Sequence, residues 1–229
     1  MGAGTSGRLG VLEAAECPPT FDTPPSLVQP VIAGGKRTVF RSAEGAEDNG
    51  PDGARQIRRR VRPGDMVVGI AASGVTPFVR AALREARKRG AATALVTCNP
   101  QVPGSAARVV IALAVGPEVL TGSTRLKAGT AQKLVLNTIS TVAFTRLGKT
   151  FGNLMVDVVA TNSKLRARAR RAVMLATGAP LEQAEAALEA AGGEVKVAIV
   201  ALLTGLESEA ARTRLADAGG VVRHALAQA

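Results

Sequence analysis

The chain has 229 residues, of which 46% are apolar and 21% charged, and a formal net charge of +11. That apolar share excludes a disordered chain, and no apolar run approaches the about 20 residues that a membrane span needs. Apart from the dense run Arg55–Arg62 the positive charge is scattered, and the aromatic side chains that stack bases are scarce, so a small anionic substrate is the expected partner, with neither nucleic acid nor membrane.

With no Trp or Tyr, the core must be built from Ala, Val, Leu and Ile. Cys17 and Cys98 are the only cysteines, which fits a reducing compartment and no disulfide scaffold. No charged-then-apolar leader opens the sequence, so a cytoplasmic location is expected.

The first segment, Gly2-Ala3-Gly4-Thr5-Ser6-Gly7-Arg8, is rich in glycine, carries two adjacent hydroxyls and precedes a helix-like stretch. It suits a phosphate, although a lone glycine-rich loop is weak evidence and a flexible tail fits too. Glu16 follows in Ala15-Glu16-Cys17-Pro18-Pro19. Leu27–Ala33 reads as a buried strand, and a shorter helical segment is expected over Arg37–Glu47. Met66–Ala72 is a second buried strand. It runs into Ser73-Gly74-Val75-Thr76-Pro77 and then a helix over Pro77–Arg89 with Pro in its first turn. Hydroxyls, a glycine and a helix N-terminus there can hold an anion, but a plain capped turn fits the local sequence at least as well.

Thr93–Cys98 and Val109–Val115 complete the apolar strands. Strand–helix–strand alternation predicts an α/β protein with a parallel sheet covered on both faces. Next comes Gly116-Pro117-Glu118-Val119-Leu120-Thr121-Gly122-Ser123-Thr124-Arg125-Leu126-Lys127, with hydroxyls and cations ahead of a long helix over Lys127–Leu147. From about Ser163 the chain turns helical, with glycine breaks between segments near 165–175, 181–191, 194–203, 207–217 and 221–228. Residues 163–229 are therefore expected to form a small helical subdomain, and residues 1–162 the α/β domain. A carboxylate can remove a proton beside a carbonyl or protonate an oxygen leaving group, and two in different environments can divide those tasks. Taken alone, Glu16 and Glu47 each read as a surface or cap residue. His224 stands alone and is assigned no role.

Taken in order, GAGTSGRLG, AECPPTF, VIAGG, EGAED, GIAASGVTPFV, CNP, TGSTRLKAGTAQKLVLN, GKTFGNLMVDVVATN and TGAPLEQAEAAL resemble the N-acetylmuramic acid 6-phosphate etherase family. This is a branch of the sugar isomerase (SIS) domain proteins. The likeness runs from residue 2 to near the C-terminus, and Gly116 to Lys133 is its most specific stretch. It implies a three-layer α-β-α SIS fold followed by a small helical bundle similar to a ubiquitin-associated domain. It implies a lyase of cell-wall amino-sugar recycling that works without metal or organic cofactor, as a homodimer with sites near the subunit interface. The substrate would be a phosphorylated amino sugar, cleaved at its D-lactyl ether by elimination and then hydration. By resemblance, Glu16 would be the proton donor and Glu47 the second catalytic carboxylate, the base. Thr5, Ser6, Ser73, Thr76, Ser123 and Thr124 would hold phosphate and sugar, and Arg125 and Lys127 would balance charge.

Members of the family carry a further N-terminal segment whose strand runs into GAGTSGR, and Met1 stands at that strand's end. The expectation is that the chain as written is poorly stable or inactive, and that an upstream-extended chain works. Two other readings share the SIS motifs: a sugar-phosphate sensor resembling the glucokinase regulatory protein, and an aldose–ketose phosphate isomerase. The presence of both Glu16 and Glu47, and one SIS unit instead of two, favours the etherase.

Overall fold

The computed structural model describes residues 1–158 and 162–227. The chain divides into two units: Met1–Ala15 with Val28–Ile139, and Glu16–Leu27 with Ser140–Ala229.

In the first unit three parallel strands run in the order β1 (Met66–Ile70), β2 (Ala92–Thr97) and β3 (Val109–Ala112). Met1 and Gly2 extend the sheet beyond β1. Gly2 bridges Ile70 on one side and Ile32 on the other, both in parallel. The Ile70 amide donates to the Met1 carbonyl at 2.8 Å, the Gly2 amide to Val31 at 3.0 Å, and the Ala33 amide to Gly2 at 3.0 Å. Successive side chains of a strand point to opposite faces. On one face Val67 and Leu95 pack with Ile57, Val61, Phe78, Val79 and Leu83. These come from α2 (Gly50–Arg60), the residue after it, and α3 (Pro77–Lys88). On the other face Ile70 and Val96 meet Leu136, with Leu9 and Val135 beside them. Leu9 lies on α1 (Gly4–Phe21), and Val135 and Leu136 on α4 (Lys127–Arg146). Helices on both faces of a parallel sheet are the three-layer α-β-α arrangement that the sequence predicts.

The α2–α3 contact depends on the absence of a side chain. A Cβ at Gly53 would lie 2.2 Å from the Phe78 carbonyl oxygen. At Gly50, one turn earlier, it would lie 3.3 Å from the Ala81 methyl. The two glycines let the helix backbones approach while Ile57 fills the space beside them.

The second unit holds a bundle of α5 (Ser163–Thr177), α6 (Leu181–Ala190), α7 (Val195–Thr204), α8 (Ser208–Asp217) and α9 (Val222–Ala227). A two-residue-per-strand hairpin, β4 (Thr150–Phe151) and β5 (Leu154–Met155), precedes it. Its core is built from Val156, Val173, Leu188, Val197, Ile199, Val200 and Leu215, with α7 buried most completely. Asp157 accepts from two half-buried ammonium groups, Lys196 at 2.7 Å and Lys149 at 3.2 Å. The rings of Phe21 and Phe144 stack with centroids 4.5 Å apart.

Three expectations from the sequence differ from the structure, and one helix was not foreseen. Of Leu27–Ala33 only the end at Val31–Ala33 is paired, because its partner there is the short Met1–Gly2 segment. Arg37–Glu47 is not one helix but two 3-10 turns, Lys36–Val39 and Ala46–Asp48, separated by a glycine with positive φ. The third strand ends at Ala112 and, as the outermost strand, leaves Val109 and Val110 exposed instead of buried. The basic run Arg55–Arg62 is largely α2, a helix the sequence reading passed over. The last helical segment, read as 221–228, ends outside the described residues.

Candidate functional site

In a parallel sheet every carboxyl end lies on the same edge, where ligands of open α/β folds bind. The loops after Gly2, Ala33, β1, β2 and β3 all leave from that edge.

The first loop turns at once into α1, placing Thr5 and Ser6 in its first turn. Gly7 packs so closely that a Cβ would lie 2.7 Å from the Gly2 carbonyl oxygen and from Ile32. The same loop rests on α4. Thr5 contacts the bare face of Gly129, and the Ser6 hydroxyl donates to the Gln132 side-chain oxygen at 2.8 Å. Gln132 is fully buried, and its amide nitrogen has no partner among the described residues. An i, i+3 pair on α4 thus positions the first loop, which ties GAGTSGR to TGSTRLKAGTAQK in space.

After Ala33 the glycine pair Gly34-Gly35 reverses the chain with positive φ. The buried Thr38 hydroxyl closes that turn on the carbonyls of Ala33 at 2.8 Å and Gly35 at 2.7 Å. The following segment returns over the first loop and forms a cleft of about 240 Å³ lined by Ala3, Gly4, Arg8, Ala33, Thr38, Ser42, Glu44 and Glu47, among others. Glu47 is exposed to this cleft from its 3-10 turn. Arg8 reaches it from the second turn of α1, held by its Nε donating to the Val39 carbonyl at 2.9 Å. Glu16 is exposed on α1 within the second unit and does not line the cleft.

The loop after β1 is fixed from β2. The Asn99 side-chain amide donates to the Ser73 carbonyl at 3.2 Å, and the Thr97 hydroxyl to Ala72 at 3.1 Å. Gly74 has φ 75°, and a Cβ there would meet Val102 at 2.4 Å and the Thr97 hydroxyl at 2.9 Å, so only glycine fits. Thr76 begins α3 with no side chain capping the helix. Ser73 is exposed, and its hydroxyl oxygen accepts from the Val75 amide at 3.3 Å.

The start of α4 is different. The Glu118 carboxylate accepts from the Lys127 amide at 3.0 Å and the Ala128 amide at 2.9 Å. The Ala128 bond is the main cause of a Glu118 pKa below the ordinary glutamate value. The N-terminus of α4 therefore already holds an anion, supplied by the chain itself. Thr124 and Arg125 are exposed and Ser123 is half-buried, and none of them lines the Glu47 cleft. The Lys127 ammonium lies over Gly116. Because the folded-state pKa is lowered, the stabilisation from Glu118 is complete above the unfolded pKa and is lost as pH falls through the folded one. Glu118→Gln should lower the melting temperature at neutral pH, and the difference should shrink as the pH is taken below that of ordinary glutamate titration. Equal melting at neutral pH would refute the cap.

Sequence reasoning missed four contributors. Arg8 lies inside the glycine-rich motif, Glu118 inside the third cluster, Gln132 just beyond it, and Asn99 follows β2. Only Gln132 left a signal, its i+3 spacing from Gly129. Among the described residues no group of three or more His, Cys, Asp or Glu side chains is placed to hold a metal, and no helix is long and apolar enough to cross a membrane.

Residues 50–142 match the SIS domain, and residues 1–87 match the glucokinase regulatory protein N-terminal SIS domain. The chain is 63% identical over 204 residues to the N-acetylmuramic acid 6-phosphate etherase of Symbiobacterium thermophilum, covering 89% of this chain and 68% of that protein. It is 59% identical over 208 residues to the etherase of Rubrobacter xylanophilus, with the same shares covered. With the etherase of Cutibacterium acnes it shares 56% over 204 residues, covering 88% of this chain and 67% of that one. Identity at this level, across a sheet edge whose loops carry the motifs just described, makes the chain a member of the N-acetylmuramic acid 6-phosphate etherase family.

Proposed function

We propose that the chain is a carbon–oxygen lyase that cleaves the D-lactyl ether of N-acetylmuramic acid 6-phosphate, giving N-acetylglucosamine 6-phosphate and D-lactate in cell-wall amino-sugar recycling. One observation supports this above the others: the glycine loop, Arg8 and Glu47 line a single cleft in a chain that is 63% identical to a named etherase.

We place the phosphate at the N-terminus of α3. That of α4 is filled by Glu118, whereas α3 has no side-chain cap and is preceded by Ser73 and Thr76. Free N–H groups at that end attract a phosphate dianion. Thr5 and Ser6 hold the sugar from the first loop. Ser123, Thr124, Arg125 and Lys127 border the same edge of the sheet and complete the binding of the sugar phosphate. With the sugar open as its aldehyde, Glu47 takes the proton from the carbon beside the carbonyl. The electron pair forms a carbon–carbon double bond, and the bond to the lactyl oxygen breaks. Glu16 lies outside this cleft in its own chain; supplied at the subunit interface of the homodimer, it gives that oxygen its proton, so lactate leaves with a neutral hydroxyl. Water then adds across the double bond, which restores the proton count. No metal or organic cofactor is needed for these steps. Residues 1–162 act as the sugar-phosphate-binding domain and residues 163–229 as a helical appendage, in a homodimer in the cytoplasm.

A sugar-phosphate sensor is the second reading, favoured by the match of residues 1–87 to the regulatory protein's SIS domain. Incubation of the chain and of an upstream-extended form with N-acetylmuramic acid 6-phosphate and an assay for D-lactate decides between them, and sedimentation of the same samples reads the dimer. Lactate release that is lost in Glu16→Ala supports the etherase. Phosphosugar binding with no lactate favours the sensor. Sedimentation as a monomer overturns the dimer.

A further inference from the structure

The cleft that holds Glu47 also contains Glu44, and both carboxylates are exposed to it. Arg8 is the one basic side chain among the residues lining it. Its Nε is committed to the Val39 carbonyl, which fixes the plane of the guanidinium. No ion pair joins Arg8 to either glutamate among the described residues. Arg8 thus lines a cleft with two acid side chains while pairing directly with neither among the described residues.

We infer that Arg8 binds the carboxylate of the substrate's lactyl group and so selects the ether substrate over the lactate-free product. This rests on the etherase reading above. The reasoning is geometric. In a lactyl ether the carboxylate carbon is attached to the same carbon as the ether oxygen. Wherever the breaking bond comes within reach of Glu47, that carboxylate must lie a few ångströms away, among like charges. Such an anion is held only if a cation meets it. A guanidinium tethered through Nε presents its two terminal nitrogens as a fork, and that fork matches a carboxylate in a bidentate pair. The sugar phosphate, at the other end of the substrate, has the open N-terminus of α3 and does not need Arg8. Pairing the lactyl carboxylate also removes its repulsion with the negative charge that grows on the departing oxygen, so the contact strengthens as the bond breaks.

The test uses the full chain, Arg8→Met and Arg8→Lys. Binding of N-acetylmuramic acid 6-phosphate and of N-acetylglucosamine 6-phosphate is measured by calorimetry, alongside kcat/KM for lactate release. In Arg8→Met, kcat/KM should fall about 100-fold and affinity for the lactyl substrate about tenfold or more, while product affinity stays within about twofold. Arg8→Lys should recover only part of the loss, because an ammonium keeps the charge and not the fork. Retained product binding shows that the variants are folded. Product affinity that falls in step with substrate affinity overturns the inference and assigns Arg8 to the phosphate or to the fold. Unchanged values for both ligands overturn it as well. Should neither the unmodified chain nor an upstream-extended form release lactate, the etherase reading fails on its own, and the difference between the two dissociation constants still tests Arg8.

Discussion

Glu47→Gln should reduce lactate release about 100- to 10,000-fold, the usual cost of losing a positioned general base. The amide has nearly the shape of the carboxylate and cannot take the proton beside the aldehyde. Glu47 sits on a short exposed turn and makes no core contact, so the melting temperature should stay within the scatter of repeated measurements. Substrate affinity should change little, since the contacts proposed for the phosphate and the lactyl carboxylate are made by other residues. A Glu47→Gln protein that turns over at the normal rate removes this residue from the chemistry. One that has lost binding and thermal stability together assigns it to the fold.

The second large effect is on stability. Gly53→Ala should destabilise the chain by roughly 2–3 kcal/mol. In an exposed helix the same change would gain about 1 kcal/mol from helix propensity. Here the added methyl meets a backbone oxygen at 2.2 Å, and no rotamer can relieve that contact. α2 must withdraw from α3, opening the packing of Ile57 and Phe78, both almost completely buried. Gly50→Ala is the internal comparison. Its neighbour is a side-chain methyl at 3.3 Å, and its cost should be much smaller. Chemical denaturation of both variants gives the measurement. Equal stabilities would show that the close approach at Gly53 is not a constraint.

These cases show what a single sequence makes legible. β1, β2 and α3 could be read because their burial follows from continuous Val, Ile, Leu and Ala. α2 could not, because its contact face is made of Gly50, Gly53 and Ile57, and glycine carries no apolar signal; the arginines around them look like a solvated run. Leu27–Ala33 has the composition of a strand, but pairing needs a neighbour, and the neighbour offers only two residues. At the site, the glycine loop and Glu47 were visible as motif and acid. Arg8 was hidden because an arginine beside a glycine loop is indistinguishable, in sequence, from surface charge. The difference between the N-termini of α3 and α4 was not legible either, since the group that fills α4 comes from nine residues upstream.

α1 carries Pro18 and Pro19 within its length. Neither has an N–H to give, so the carbonyls of Ala14 and Ala15 lose their helical partners, and two consecutive rungs are missing around Glu16. A helix bends most cheaply where rungs are absent. The part of α1 that bears Arg8 is fully laddered and stiff, while the turn that bears Glu16 can flex on little energy. One helix thus joins a regular first half to a second half weakened at its prolines, and bending is taken up there instead of at the glycine loop.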